Sequence, residues 1–245
     1  SLEVRIHKLN NNNDTLSTVL LYDTIINKDD GIFDTEENII YTIKTGSFFQ
    51  DDKRYLLVIK NKKSETLVSS STNLISGFSF NASDLPNPPL STSFQFYAAL
   101  PDANGSFFRF QKIRWDKATN GKIYQLDVIF NYKENGGDKS IIWRQPLEIF
   151  EQSPDMETLL EGEKFFNFLA NNIDYDESVI REFVNLEIVM TIGTSNLDTY
   201  ININRPVSSI VQERPEFTNI INGIGLFTAR NIHQHPHYIS LNRCT

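Results

Sequence analysis

The stretch from Lys122 to Glu151 constrains the fold more than any other part of the chain. Its even positions are Tyr124, Leu126, Val128, Phe130 and Tyr132, and the odd positions include Gln125, Asp127, Asn131 and Lys133. Side chains two apart point to the same side of a β-strand, so this alternation predicts one apolar, buried face and one wetter face. Asn135-Gly136-Gly137 follows, and glycine there supplies the positive φ of a tight reversal. The run Ile141 to Phe150 then leads back. A long central hairpin is expected, and burial should fix its register, because a one-residue slip would expose the whole apolar set.

The flanking sequence reads as more strands. Leu2 to Leu9 alternates, and Asn10 to Asp14 is a polar turn. Thr18 to Ile26, Ile39 to Lys44, Tyr55 to Lys60, Leu67 to Ser70 and Ile75 to Phe80 are strand-sized runs between turn signals. That spacing predicts an N-terminal β-sandwich of the Ig-like kind. Pro86, Pro88 and Pro89 lack the donor that a sheet ladder needs. A boundary there gives domains over residues 1–88 and 89–245. In the second domain Phe94 to Leu100 and Phe107 to Trp115 feed into the hairpin. Met156 to Asn172 places Met156, Leu159, Leu160, Phe165, Phe166 and Leu169 at helical spacing, with Glu157, Glu161 and Glu163 near the start. This predicts a helix weakened at Gly162. Val184 to Met190 alternates as a strand. Thr194-Ser195-Asn196 is a good N-cap cluster, so Leu197 to Asn204 suits a short helix, although Tyr200, Ile201 and Ile203 also suit a strand. The expected class is mainly β: antiparallel sandwich or barrel-like domains with one or two short helices in the C-terminal half.

Composition narrows the function classes. The 245 residues carry a net charge of -8, which argues against nucleic acid and against a polybasic membrane contact. Cys244 is the one cysteine, so an internal disulfide framework is not expected. No stretch approaches the ~20 apolar residues of a membrane helix. The chain opens at Ser1 without Met, and the expectation is a longer precursor or a removed targeting segment.

Two stretches carry a resemblance. One runs from Ile113-Arg114-Trp115 through Asn120-Gly121-Lys122-Ile123-Tyr124 to Phe130-Asn131-Tyr132-Lys133-Glu134. The other is Gln212-Glu213-Arg214-Pro215-Glu216-Phe217-Thr218-Asn219-Ile220, followed by Asn222-Gly223-Ile224-Gly225-Leu226-Phe227-Thr228-Ala229-Arg230. Together they resemble exported surface lipoproteins of the Bacteroidetes, a domain-of-unknown-function group. The resemblance implies export to the cell envelope, a lipid anchor upstream of Ser1 and a mainly β fold. It brings no catalytic residues. Read by themselves, Gly223 and Gly225 mark a ligand loop or, by the rule for strand glycines, a strand start packed close to a neighbour.

Candidate chemistry is sparse. His233, His235 and His237 would share one face of an extended strand, and three imidazoles suit Zn²⁺ or Cu²⁺, with Cys244 near in sequence. Pro236 interrupts them, so a solvated tail is the favoured reading and no metal or other cofactor is expected. The acidic loop Asn27 to Glu37 fails the EF-hand pattern, since Ile26 and Lys28 stand where ligands belong ahead of Gly31. Asp174, Asp176 and Glu177 are irregularly spaced and read as a solvated cluster. Glu148, Glu151 and Asp155 near Trp143 are the carboxylates a glycosidase would draw on. No Gly-x-Ser-x-Gly elbow and no phosphate-cradling glycine loop occurs, and His7 has no nucleophile context. Trp115 and Tyr124 have a fibronectin-like spacing that reads as core packing. Asp14-Thr15-Leu16 and Asp23-Thr24-Ile25 resemble the short O-glycosylation signal of exported Bacteroidetes proteins. The expectation is a non-enzymatic exported lipoprotein, a binding or structural module with a protein or glycan partner. The alternative is a glycan-binding protein or a glycoside hydrolase accessory to polysaccharide capture.

Overall fold

The computed structural model describes residues 2–26, 38–44, 46–51, 53–85, 93–149, 155–205, 216–236 and 238–241. Among them the strands run β1 (Leu2–Leu9), β2 (Thr15–Leu20), β3 (Tyr22–Ile26), β4 (Asn38–Thr42), β5 (Arg54–Asn61), β6 (Leu67–Asn73), β7 (Ser93–Phe94), β8 (Phe110–Asp116), β9 (Ile123–Glu134), β10 (Gly137–Arg144), β11 (Glu148–Ile149) and β12 (Asp155–Glu161). Helix α1 (Gly162–Asn172), β13 (Arg181–Gly193), α2 (Ser195–Asn204), β14 (Arg230–Gln234) and β15 (Ser240–Leu241) follow. About half of the residues are in strands and a tenth in helices, the sheets are mainly antiparallel, and none closes into a barrel. Both helices fall in the C-terminal half, as expected. No helix among the described residues is long and apolar enough to cross a membrane.

The chain forms two compact units. The first comprises Ser1–Ser76 and Thr194–Ala229, the second Gly77–Gly193 and Arg230–Thr245. The expected boundary after residue 88 had kept each domain contiguous. Here the division falls at Ser76 and the 194–229 segment returns to the first unit. The proline cluster itself lies outside the described residues.

In the first unit the sheet order is β2-β1-β5-β6, with β3 and β4 as a separate ribbon. Val4, Ile6 and Tyr55 are buried on one side of that sheet. The continuous strand expected over Thr18 to Ile26 divides at Leu21, where its N–H turns to the Val4 carbonyl. The strand expected over Ile75 to Phe80 is also absent. Gly77 takes φ +70°, and only an isolated antiparallel bridge joins Phe80 to Trp115.

In the second unit the order is β10-β9-β13-β14, with β11 also on β9. The central hairpin is present, but its return strand runs Gly137–Arg144 and not Ile141 to Phe150. Asn135 and Gly136 both have positive φ, at 49° and 83°, the pattern of a two-residue primed turn. Tyr124, Leu126, Val128, Phe130 and Tyr132 are all buried, beside Leu186, Ile188, Met190 and Ile192 of β13. Phe165 of α1 closes over this face: its ring stacks on Phe96 at 4.4 Å and meets Trp143 at 5.5 Å and Phe130 at 6.1 Å. Burying each such aromatic stabilises the unit by ~1.5–3 kcal/mol.

The expected helix over Met156 to Asn172 is half right. Its first part is β12, paired with β8 from Asp155 opposite Asp116 to Glu161 opposite Phe110. Met156 and Leu160 are both fully buried. Residues four apart share a face in a helix and in a strand alike, so the spacing could not separate the two. Gly162 marks the change. A Cβ there would come within 2.1 Å of the Phe96 carbonyl oxygen and 2.8 Å of that of Arg109. Only glycine permits this approach, and its N–H donates to the Arg109 oxygen at 2.8 Å.

Candidate functional site

The outer face of the β10-β9-β13-β14 sheet carries the most organised polar surface of the second unit. Register places Asp127 opposite Arg144 on one side and Val189 on the other. Asp127 was expected on an open, wet face. It is instead a buried carboxylate, its side chain 13% exposed while that of Arg144 is 63% exposed. Arg144 Nε and Nη2 donate to the two carboxylate oxygens at 2.9 and 3.0 Å. The guanidinium thus pairs side-on with the carboxylate. The hydrogen bond to Asp127, and then its negative charge, push the Arg144 pKa further up.

A second group spans three strands of the same face. Asn131 Nδ2 donates to Asn185 Oδ1 at 2.8 Å and to Glu187 Oε1 at 2.6 Å. Gln234 Nε2 donates to the other Glu187 oxygen at 2.7 Å. Gln125 Nε2 donates to the Gln145 carbonyl. Ile142 and Ile232 are exposed on this face. Side chains two apart on rigid strands are held in place by one another, so the surface offers fixed donors and acceptors without reorganisation. A ligand rich in hydroxyls or amides is the chemistry such a surface suits.

The aromatic candidates changed places. Trp143 is 8% exposed and packs on Phe96, Phe165 and Phe168, so it is core and not a platform. Trp115 is also core, its indole N–H directed to Met156 Sδ at 3.1 Å. The accessible pair is Tyr97 and Phe107, stacked with centroids 5.7 Å apart and planes at 13°, each a little over one-third exposed. The sequence offers one signal for it: both residues flank the Asp102-Ala103-Asn104-Gly105 turn. Asp102 accepts the Asn104 and Ser106 backbone N–H groups at 2.8 and 2.9 Å, which fixes that turn.

His233 lies on β14 and His235 just beyond it, and His235 is buried, so these two do not belong to the solvated tail expected of them. His233 and His235 face the core side, against Phe78 at 4.9 Å and Phe80 at 6.0 Å respectively. Burial, and then the neighbouring His235, push the His233 pKa down. His237 and Cys244 lie outside the described residues. Among the described residues no three His, Cys, Asp or Glu side chains come together to hold a metal ion. Asp176 is occupied in its own turn, accepting from the Ser178 N–H and hydroxyl at 2.8 and 2.6 Å. Tyr175 donates to Glu177 at 2.9 Å. His7 meets Thr18 across β1 and β2 at 2.7 Å. The acidic loop 27–37 and Glu151 are not among the described residues, nor are the side chains of Glu148 and Asp155.

The Gly223–Gly225 stretch is neither a strand nor a strand start. Thr218 Oγ1 accepts the Ile220 and Gly225 N–H groups at 3.1 Å each, and Asn219 bonds both backbone groups of Phe227 through its side-chain amide. Gly225 takes φ +145°. A Cβ on Gly223 would stand 3.1 Å from both Ile220 and Val68. The close approach expected of these glycines is present at Gly223 alone, made by a loop lying along the edge of β6. No protein-family model, no curated protein and no solved structure matches the chain.

Proposed function

We propose that this chain is a non-enzymatic binding or structural module of an exported surface lipoprotein, held at the cell envelope by a lipid anchor upstream of Ser1. The observation that carries the reading is the polar network on the outer sheet face, Arg144 with Asp127 and Gln234 with Glu187, Asn131 and Asn185. Hydrogen-bonding groups fixed on strands meet a ligand without reorganising. The envelope assignment rests on the resemblance described above. Metabolic labelling of the full-length gene product with a fatty acid, followed by cell fractionation, tests it. Lipid incorporation and recovery with the envelope are expected, and an unlabelled protein in the cytosol would refute it.

A glycan ligand is the second reading, favoured by the exposed Tyr97–Phe107 stack. Aromatic faces pack on the C–H faces of sugar rings, and each stacked group contributes on the order of 1 kcal/mol. The double variant Tyr97→Ala with Phe107→Ala should lose retention on a polysaccharide that the unaltered protein binds. Undiminished retention would set this reading aside.

A further inference from the structure

The first unit carries an open surface pocket of about 450 Å³, lined by the exposed Arg54, Asn13 and Ile221, with a one-sided charge. Its wall is one face of the β1-β5-β6 sheet. Register pairs Leu9 with Arg54, Leu56 with Ser71 and Val58 with Ser69. Arg54 and Leu56 alternate along β5, as Ser69 and Ser71 do along β6, so all four point to the same side. Asn13 closes one end and Ile221 the other. Both ends are firmly placed. Asn13 sits in a turn at φ +65°, which asparagine tolerates well, and the Asn10 side chain accepts the Asn12 and Asp14 N–H groups at 2.9 Å. Ile221 exchanges both backbone hydrogen bonds with Ser69, at 2.7 and 3.2 Å.

Among the described residues the lining holds one cation and no carboxylate. Arg54 Nε and Nη2 donate to Ser71 Oγ at 3.2 and 2.6 Å, and Nη1 donates to Asn13 Oδ1 at 3.2 Å. Both partners are neutral. Arginine carries five N–H donors, so two remain open after these three bonds. Ser71 spends only its acceptor side on Arg54, which leaves its O–H to donate. The Asn13 amide N–H groups and the Ser69 hydroxyl engage no side-chain partner among the described residues. The free capacity is thus almost all donor, set beside an arginine that pairs with no carboxylate among the described residues, in a chain of net charge -8. Leu9 and Leu56 provide an apolar floor.

We propose that this pocket is an oxyanion site, taking the carboxylate, sulfate or phosphate group of a small ligand whose body has an apolar face. The guanidinium fork matches such groups in shape and charge, and charge-assisted hydrogen bonds are about twice as strong as neutral ones. The two serine hydroxyls and the Asn13 amide complete the donor set. The floor of Leu9 and Leu56 receives the ligand body. The pocket volume falls within the ~300–1,000 Å³ usual for small-ligand sites.

The test is titration of the whole chain, labelled with ¹⁵N, with galacturonate, inorganic sulfate, inorganic phosphate and neutral galactose. Amide signals of residues 13, 54, 69 and 71 should shift with at least one anion and not with galactose, and the affinity should fall as salt is added. Tighter galacturonate binding assigns a carboxylate ligand, and tighter sulfate or phosphate binding assigns a tetrahedral anion. Arg54→Ala should weaken the anion at least about tenfold, the scale of one charge-assisted bond. Arg54→Lys should recover part of that loss. Ser71→Asp puts a carboxylate where Arg54 already donates, and this internal counter-ion should abolish binding while the spectrum stays folded. Galactose binding as tightly as galacturonate, no shift with any anion at millimolar concentration, or full affinity in folded Arg54→Ala would each overturn the proposal.

Discussion

The pair of Asp127 and Arg144 makes an asymmetric prediction. Removing Arg144 leaves a carboxylate that is 13% exposed without the two bonds it accepts from the guanidinium. A buried charged acceptor left unsatisfied costs ~1–3 kcal/mol. Removing Asp127 leaves an arginine that is 63% exposed. Water solvates it, and the exposed half of the pair is screened, so the cost should stay under about 1 kcal/mol. Arg144→Ala should therefore be the more damaging single change, by about 1 kcal/mol or more. The double variant should resemble Asp127→Ala alone, because the unpaired carboxylate is gone. Urea melts of the four proteins at pH 7 provide the cycle. The raised pKa of Arg144 does not complicate it. A raised pKa contributes stability below the unfolded value that is lost as pH rises through the folded one, and for arginine both lie in strong alkali. If Asp127→Ala proved as costly as Arg144→Ala, or the double variant summed the two, the carboxylate would not be held as described.

Phe130→Ala should cost ~3–5 kcal/mol, since the ring is buried against Phe165, Tyr132 and Phe183 and leaves a cavity; a denaturant melt within 1 kcal/mol of the parent would contradict that packing. Gly162→Ala replaces glycine with a better helix former, yet should destabilise by about 3 kcal/mol because the added carbon meets two backbone oxygens; an unchanged melting temperature would remove the close approach. His233 has a lowered pKa from burial, so the unfolded chain binds its proton first as pH falls. Stability from the neutral ring is present above the usual histidine range and lost as pH drops through it, and His233→Phe should flatten the dependence of Tm on pH between about 7 and 5.

The central strand was legible because Tyr124 to Tyr132 repeat with period two over nine residues, longer than chance alternation sustains. Met156 and Leu160 were not, because a spacing of four satisfies both periods and only pairing with β8 decides between them. Asp127 looked like any polar residue on a strand's wet side. Its burial depends on Arg144, seventeen residues away, which meets it only once the hairpin register is set. Whether Trp143 is core or surface was open from its acidic neighbours alone, and register aligns it with Val128 on the core side. The pocket around Arg54 draws on a turn, three strands and a distant loop, and no local pattern joins Asn13, Arg54, Ser69 and Ile221.

Binding without chemistry is the central claim, and electrophoresis in native gels tests it most directly. The whole chain is run through gels containing acidic polysaccharides such as polygalacturonate, through neutral ones and through a blank. The same mixtures are assayed for newly formed reducing ends. The account predicts retarded migration in at least one acidic gel, relief of that retardation by salt, and no reducing ends. Equal migration in every gel, or reducing ends that accumulate with time, would contradict it.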